Sequence, residues 1–133
     1  METRNHFPGG EWLYLKIYGG HKTLERALVE KLWPLNAEFL DKGLARLWFF
    51  VRYTDPDLHL RYRLRLNENA CDEGLIRAVR EALEPFLSQG LIWRVEVATY
   101  RREMERYGCH TMEFAEQLFF HDSRACLDFL RGE

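Results

Sequence analysis

Leu58-His59-Leu60-Arg61-Tyr62-Arg63-Leu64-Arg65-Leu66 alternates without a break. Leu58, Leu60, Tyr62, Leu64 and Leu66 fall to one side, and His59, Arg61, Arg63 and Arg65 to the other. A period of two means a strand with one buried face, because successive side chains leave opposite sides of a sheet. The polar side carries three guanidiniums and an imidazole but no acid. Guanidiniums this close repel one another unless an anion sits among them or neighbouring strands supply carboxylates. Two readings of the face follow from the residues alone. It binds an anionic group, since Arg is suited to bidentate capture of carboxylate or phosphate. Or it is neutralised by local acids such as Glu96 and Asp57.

Working outward, residues 45–53 (Ala-Arg-Leu-Trp-Phe-Phe-Val-Arg-Tyr) predict a strand, and Thr54-Asp55-Pro56-Asp57 a turn, so the two strands form a hairpin. Residues 12–18 alternate as well and predict the first strand, closed by Gly19-Gly20. Residues 23–42 have helical spacing, with a kink or break at Pro34 and a stop at Gly43. A second helix is predicted over 72–88, distorted near Pro85 and stopped by Gly90. Residues 91–100 predict the last strand, and 111–130 a helical segment in one or two pieces, with Asp122 or Ser123 as a cap.

The order βαββαβ plus a helix has one economical solution, an α+β, ferredoxin-like sheet with helices on one face. Leu13, Leu15 and Ile17, then Leu60, Tyr62 and Leu64, then Trp93, Val95 and Val97 are expected beneath the helices. The open face is expected to carry Tyr14, Lys16 and Tyr18, with Trp48, Phe50 and Arg52. To these it adds the His59 and arginine side of the central strand, then Arg94, Glu96 and Tyr100. So aromatic a face is expected to be covered, by a further layer, a ligand or another subunit, with protein the first choice. A homo-oligomer formed through this face is one form of that expectation.

The chain has 133 residues, enough for a single domain with a real core. Residues 1–11 are expected to form a flexible arm and 12–133 one α+β domain. Apolar residues make up 47% and charged residues 30%, which excludes a disordered chain. The formal charge of −2 offers no global basic field for nucleic acid. Cys71, Cys109 and Cys126 are odd in number and irregular in spacing, against a disulfide framework. No run approaches membrane-spanning length and the start lacks the apolar core of a signal peptide, so a cytoplasmic protein is expected.

Three stretches together carry a family resemblance. They are Trp12-Leu13-Tyr14-Leu15-Lys16-Ile17-Tyr18-Gly19, then Trp48-Phe49-Phe50-Val51-Arg52-Tyr53-Thr54-Asp55-Pro56 with His59-Leu60-Arg61-Tyr62-Arg63. The third is Tyr100-Arg101-Arg102-Glu103-Met104-Glu105-Arg106-Tyr107-Gly108, continued by Met112-Glu113-Phe114-Ala115-Glu116 and Asp122-Ser123. In order and spacing they resemble the C-terminal domain of lantibiotic dehydratases, which also occurs as the thiopeptide-type bacteriocin biosynthesis domain.

The resemblance implies a lyase activity that eliminates glutamate from glutamylated Ser or Thr of a precursor peptide. Relatives on the same scaffold close a pyridine ring by a formal cycloaddition. It implies Arg63 and Arg106 as catalytic arginines, with Arg61 and Glu103 at the substrate. Arg65, His59 and Arg52 are further substrate-binding candidates read from the residues themselves, and His59 reads more readily as a hydrogen-bonded strand histidine than as an acid or base. No cofactor and no metal is implied. The chain matches the first half of the family domain, and the family's catalytic histidine lies in the second. A glutamylating or other biosynthetic partner, or a second copy of this chain, is therefore expected to complete the site. Two other classes stand beside this one: a non-catalytic peptide- or partner-binding module, and an RNA-binding sheet platform, which the arginines on the central strand and the negative net charge oppose. Cys109-His110 with His121 or Cys126 fits no standard zinc spacing.

Overall fold

The computed structural model describes residues 5, 6, 10–54, 57–68, 70–101, 116, 120, 121 and 123. The elements are β1 (Asn5–His6), β2 (Trp12–Gly19), α1 (His21–Arg26), a π-helical turn (Ala27–Leu32), α2 (Trp33–Asp41), β3 (Ala45–Tyr53), β4 (His59–Leu66), α3 (Asp72–Ser88), β5 (Ile92–Ala98) and β6 (Tyr100–Arg101). Four strands form one antiparallel sheet in the order β3-β4-β2-β5, as the ferredoxin-like expectation requires. Two residues of the expected flexible arm pair instead with β6, Asn5 with Arg101 and His6 with Tyr100.

The first helix passes through Pro34. Pro34 has no N–H to donate to the turn before it, and the backbone answers with the wide π turn over Ala27–Leu32 rather than a break. Both helical stretches end alike. Gly43 takes φ 69°, its N–H reaches Leu40 O at 3.1 Å and the Leu44 N–H reaches Phe39 O at 2.9 Å. Gly90, at φ 72°, repeats the motif with Leu87 O at 3.1 Å, while Leu91 N–H bonds Phe86 O at 2.9 Å. These bonds satisfy the last carbonyls and turn the chain back to the sheet.

Leu13, Leu15, Ile17, Leu60, Tyr62 and Leu64 are buried beneath the helices against Leu24, Leu28, Leu32, Val79, Leu83 and Phe86. Each such side chain contributes about 1.5–3 kcal/mol of burial. Tyr62 is wholly buried, and its hydroxyl donates to Asn36 Oδ1 on α2. Burial holds that phenol protonated far above its ordinary range.

Two register shifts change what the alternation predicts. In β3, Ala45 lies opposite Leu66 but Leu47 lies opposite Arg65, so Arg46 is an extra, bulged residue. The bulge inverts the expected phase. Trp48, Phe50 and Arg52 lie on the helix side, opposite Leu64, Tyr62 and Leu60, and Leu47, Phe49 and Val51 join the arginine side. Trp48 is buried between Trp33 and Phe120.

In β5, Tyr18 lies opposite Arg94 and Gly19 opposite Ile92, leaving Trp93 as the bulged residue. Val95 and Val97 do share the helix side with Ile17 and Leu15, yet they are 41% and 43% exposed. Trp93 is 53% exposed. The helices cover the centre of the sheet and leave this edge open. No helix among the described residues is long and apolar enough to cross a membrane.

Candidate functional site

The arginine side of β4 is built by cross-strand pairing. Trp12, Tyr14, Lys16 and Tyr18 of β2 stand opposite Arg65, Arg63, Arg61 and His59. On the other flank, Leu47, Phe49, Val51 and Tyr53 of β3 stand opposite the same four residues. The face is packed rather than open: Trp12, Tyr14, Leu47, Phe49 and Tyr100 form a second buried cluster, none more than 6% exposed.

Each polar residue has its own surroundings. Arg65 Nε donates to Glu11 Oε1 at 2.6 Å. Arg61 Nε donates to His59 Nε2 at 3.1 Å, and its guanidinium lies 3.5 Å from the centroid of Tyr53. His59 is buried, stacked between Tyr18 and Tyr53, with Nδ1 2.8 Å from the Asp57 carbonyl. A ring that accepts at Nε2 from a guanidinium and faces a carbonyl with Nδ1 is the neutral, Nδ1-protonated tautomer. His59 thereby orients Arg61, its Nε2 accepting that hydrogen bond.

Arg63 differs from its neighbours. Its guanidinium carbon lies 4.6 Å from the Tyr14 ring centroid, 4.8 Å from Tyr100 and 5.2 Å from Phe49. Nη2 donates to the Tyr14 hydroxyl at 3.4 Å. Nε is buried with no hydrogen-bond partner among the described residues. Three ring faces stabilise the cation without neutralising it. The residue as a whole is partly exposed, so the guanidinium is both held and reachable. The box is braced from behind. Trp12 packs edge-on against Tyr100 at 4.8 Å and against Phe49 at 5.9 Å. The Tyr100 hydroxyl donates to the buried Glu116 carboxylate at 2.7 Å.

Of the residues selected from sequence, His59, Arg61, Arg63 and Arg65 share this face. Arg52 does not: on the opposite side of the sheet, its Nη1 lies 3.6 Å from Glu25 Oε1 and 3.4 Å from His21 Nδ1 of α1. The inverted phase of β3 removes it from the arginine side. Glu103 and Arg106 lie outside the described residues, as do Cys109, His110 and Cys126. The acids expected to neutralise the face do other work. Glu96 Oε1 pairs with Arg94 at 2.6 Å, and Asp57 contributes only its carbonyl to His59.

Sequence reasoning missed Phe49, Glu11 and Glu116. Only the bulge brings Phe49 here, while Glu11 and Glu116 arrive from segments with no periodicity linking them to β4. Lys16, expected on this face but not chosen as a site residue, stands opposite Arg61 and sets two cations side by side. No group of three or more metal-ligating side chains occurs among the described residues.

Residues 12–133 match the family described as lantibiotic biosynthesis dehydratase, C-terminal. The chain belongs to that family. Among curated relatives, it is 30% identical over 125 residues to the nisin biosynthesis protein NisB of Lactococcus lactis subsp. lactis, covering 93% of this chain and 12% of NisB. It is 33% identical over 123 residues to the subtilin biosynthesis protein SpaB of Bacillus subtilis, covering 91% of this chain and 12% of SpaB. Among solved structures it is similar to the tRNA-dependent lantibiotic dehydratase MibB from Microbispora sp. 107891. That match has TM-score 0.81 and 35% identity, over 93% of this chain and 12% of MibB. TsrL shares the fold, with TM-score 0.71 and 19% identity, over 92% of this chain and 35% of TsrL. This member of the dehydratase C-terminal family thus spans 12% of the length of its curated relatives.

Proposed function

We propose that the chain acts in the biosynthesis of lanthipeptide- or thiopeptide-type peptides, in the cytoplasm, at the step that eliminates glutamate from glutamylated Ser or Thr of a precursor peptide. The step is a β-elimination. A base takes the α proton, the C–H electrons form the Cα=Cβ bond, the Cβ–O bond breaks, and glutamate leaves as a carboxylate. Negative charge builds on the enolate oxygen and then on the leaving group, where fixed guanidiniums stabilise it most.

The observation that carries this reading is the Arg63 box: a reachable guanidinium held by three aromatic rings, with a buried Nε that has no partner among the described residues. An incompletely satisfied buried cation is costly unless an anion arrives to complete it. Lys16 and Arg61 extend positive potential along the same face. His59 is not the base in this reading, because Arg61 occupies its lone pair. In this reading Arg106 and Glu103 act with Arg63 on the substrate.

A specific observation also favours a second reading, a peptide- or partner-binding module without turnover. Arg61 and Arg65 are already engaged by His59, Tyr53 and Glu11, which leaves Arg63 as the guanidinium most available to a ligand. One such group suffices to dock a carboxylate.

The test is calorimetry with a glutamylated-serine peptide whose ester is replaced by an amide, on wild type and on R63A. The expected result is saturable binding that weakens at least about tenfold in a folded R63A protein. No binding to wild type, or equal binding to both, would sink the assignment. Loss of glutamate from the ester peptide, followed by mass spectrometry with the biosynthetic partner present, separates the enzyme from the binding module.

A further inference from the structure

Lys16 is the one charged side chain on β2. Register puts it on the arginine face, opposite Arg61 of β4 on one flank and Glu96 of β5 on the other. A lysine set against a glutamate ordinarily forms a cross-strand ion pair. Here the acid has turned away: Glu96 Oε1 lies 2.6 Å from Arg94 Nη2, and Lys16 makes no ion pair among the described residues. The rings of the face do not replace the acid. Lys16 Nζ lies 6.0 Å from the Tyr14 ring centroid, at the outer limit of a cation–π contact, while the Arg63 guanidinium carbon lies 4.6 Å from the same centroid. Lys16 and Arg63 thus flank one ring and are both partly exposed, and neither has an acid partner among the described residues. Arg61, directly opposite Lys16, adds a like charge that costs free energy.

We propose that Lys16 selects the acyl group: with Arg63 it makes a two-point site for an acyl group that carries a carboxylate of its own. The proposal rests on the glutamate-elimination reading and adds to it the residue that tells glutamate from a neutral acyl group. Glutamate joined to Ser or Thr through one carboxyl keeps the other free. The group therefore presents two acceptors: the ester carbonyl, which becomes the leaving carboxylate, and the free carboxylate, which does not react. Arg63, whose planar fork matches a carboxylate, takes the first. Lys16, a compact charge on a flexible stem, takes the second.

The spacing suits this division. Arg63 stands in the Tyr14 row and Lys16 in the next row along the same face, about 7 Å further along the strand. An extended glutamyl group with a hydrogen bond at each end covers that span. A neutral acyl group in the same place leaves Lys16 facing Arg61 with no anion between them. Discrimination therefore comes from both sides, a charge-assisted bond gained by glutamate and an unrelieved repulsion left by its rivals.

The test is calorimetry with two probes: the amide-linked glutamyl peptide, and a twin in which its free carboxylate is a carboxamide. Both are titrated into the full 133-residue chain and into K16M, K16R and R63A, each checked for fold by circular dichroism. Wild type is expected to bind the carboxylate probe at least about tenfold more tightly than the twin. K16M is expected to bind both alike, at the wild-type affinity for the twin, and K16R to keep the preference. R63A is expected to weaken both probes and keep the preference. A wild type that binds the two probes equally overturns the proposal, and so does a folded K16M that keeps the preference. An R63A that loses the preference gives the free carboxylate to Arg63 and also overturns it. In the first two cases the elimination reading stands if R63A still weakens binding, whereas a wild type that binds neither probe sinks both. Should K16M not fold, K16Q takes its place under the same outcomes.

Discussion

Arg63 and Tyr14 face each other on adjacent strands, the guanidinium carbon 4.6 Å from the ring centroid and Nη2 3.4 Å from the phenol oxygen. At that length the hydrogen bond is weak, and the ring face does most of the holding. The two contributions can be separated. Tyr14→Phe keeps the ring and is expected to change affinity for the amide-linked peptide by less than about threefold. Tyr14→Leu keeps an apolar side chain there but removes the ring face, and is expected to weaken binding about three- to thirtyfold in a protein that stays folded. Calorimetry on both variants checks this. An equal loss in the two would make the hydroxyl, rather than the ring, the important group.

Gly19 closes β2 where the bulge at Trp93 brings the next strand close. A Cβ built on Gly19 would lie 2.9 Å from the Leu91 carbonyl oxygen. That neighbour is backbone and cannot rotate away. Gly19→Ala is therefore expected to destabilise the fold by about 1–3 kcal/mol, read by urea denaturation. The neighbouring Gly20 has open space around it, so Gly20→Ala is the matched control, expected to cost much less.

The sheet order was legible because residues 58–66, which hold β4, alternate without a break with charges on one side. That polar side sets the phase of the strand, and β2 follows from the same pattern. β3 has no such marker. Leu47-Trp48-Phe49-Phe50-Val51 is apolar on both sides, and the one charged residue near its end, Arg52, suggested the wrong phase. Without the extra residue at Arg46, Trp48 would have stood opposite Arg63. The bulge puts Phe49 there instead. Local alternation cannot reveal a bulge, because it is a property of two strands read together. The site was legible to the same extent. Arg63 followed from β4 alone, whereas Phe49 in its box depends on the bulge, and Glu116 behind it arrives from a segment distant in sequence.

Ser123 joins the C-terminal segment to the β3 edge. Expected from sequence as a candidate helix cap, it is itself helical, and its hydroxyl accepts from the Phe50 N–H at 3.1 Å. Ser123→Ala leaves that half-buried amide without its side-chain partner. The expected cost is about 1 kcal/mol, with faster hydrogen exchange at Phe50 than in wild type. Unchanged exchange at Phe50 would show that this bond does not protect the edge.

Tyr62 and Asn36 form the one fully buried polar pair beneath the helices among the described residues. Tyr62→Phe removes the donor and leaves Asn36 Oδ1 buried without it, beside an Nδ2 that has no partner among the described residues. The expected cost is about 1–3 kcal/mol, more than a lost exposed hydroxyl would give. The same burial makes stability sensitive to alkali. The folded phenol is held above its ordinary range by desolvation, so the folded state keeps a proton that the unfolded state releases near pH 10. Stability from this residue is fully present below that pH and falls as pH rises beyond it. Denaturation midpoints measured from neutral pH upward are expected to drop less steeply in Tyr62→Phe than in wild type. Parallel slopes in the two proteins would show that Tyr62 does not drive the alkaline loss.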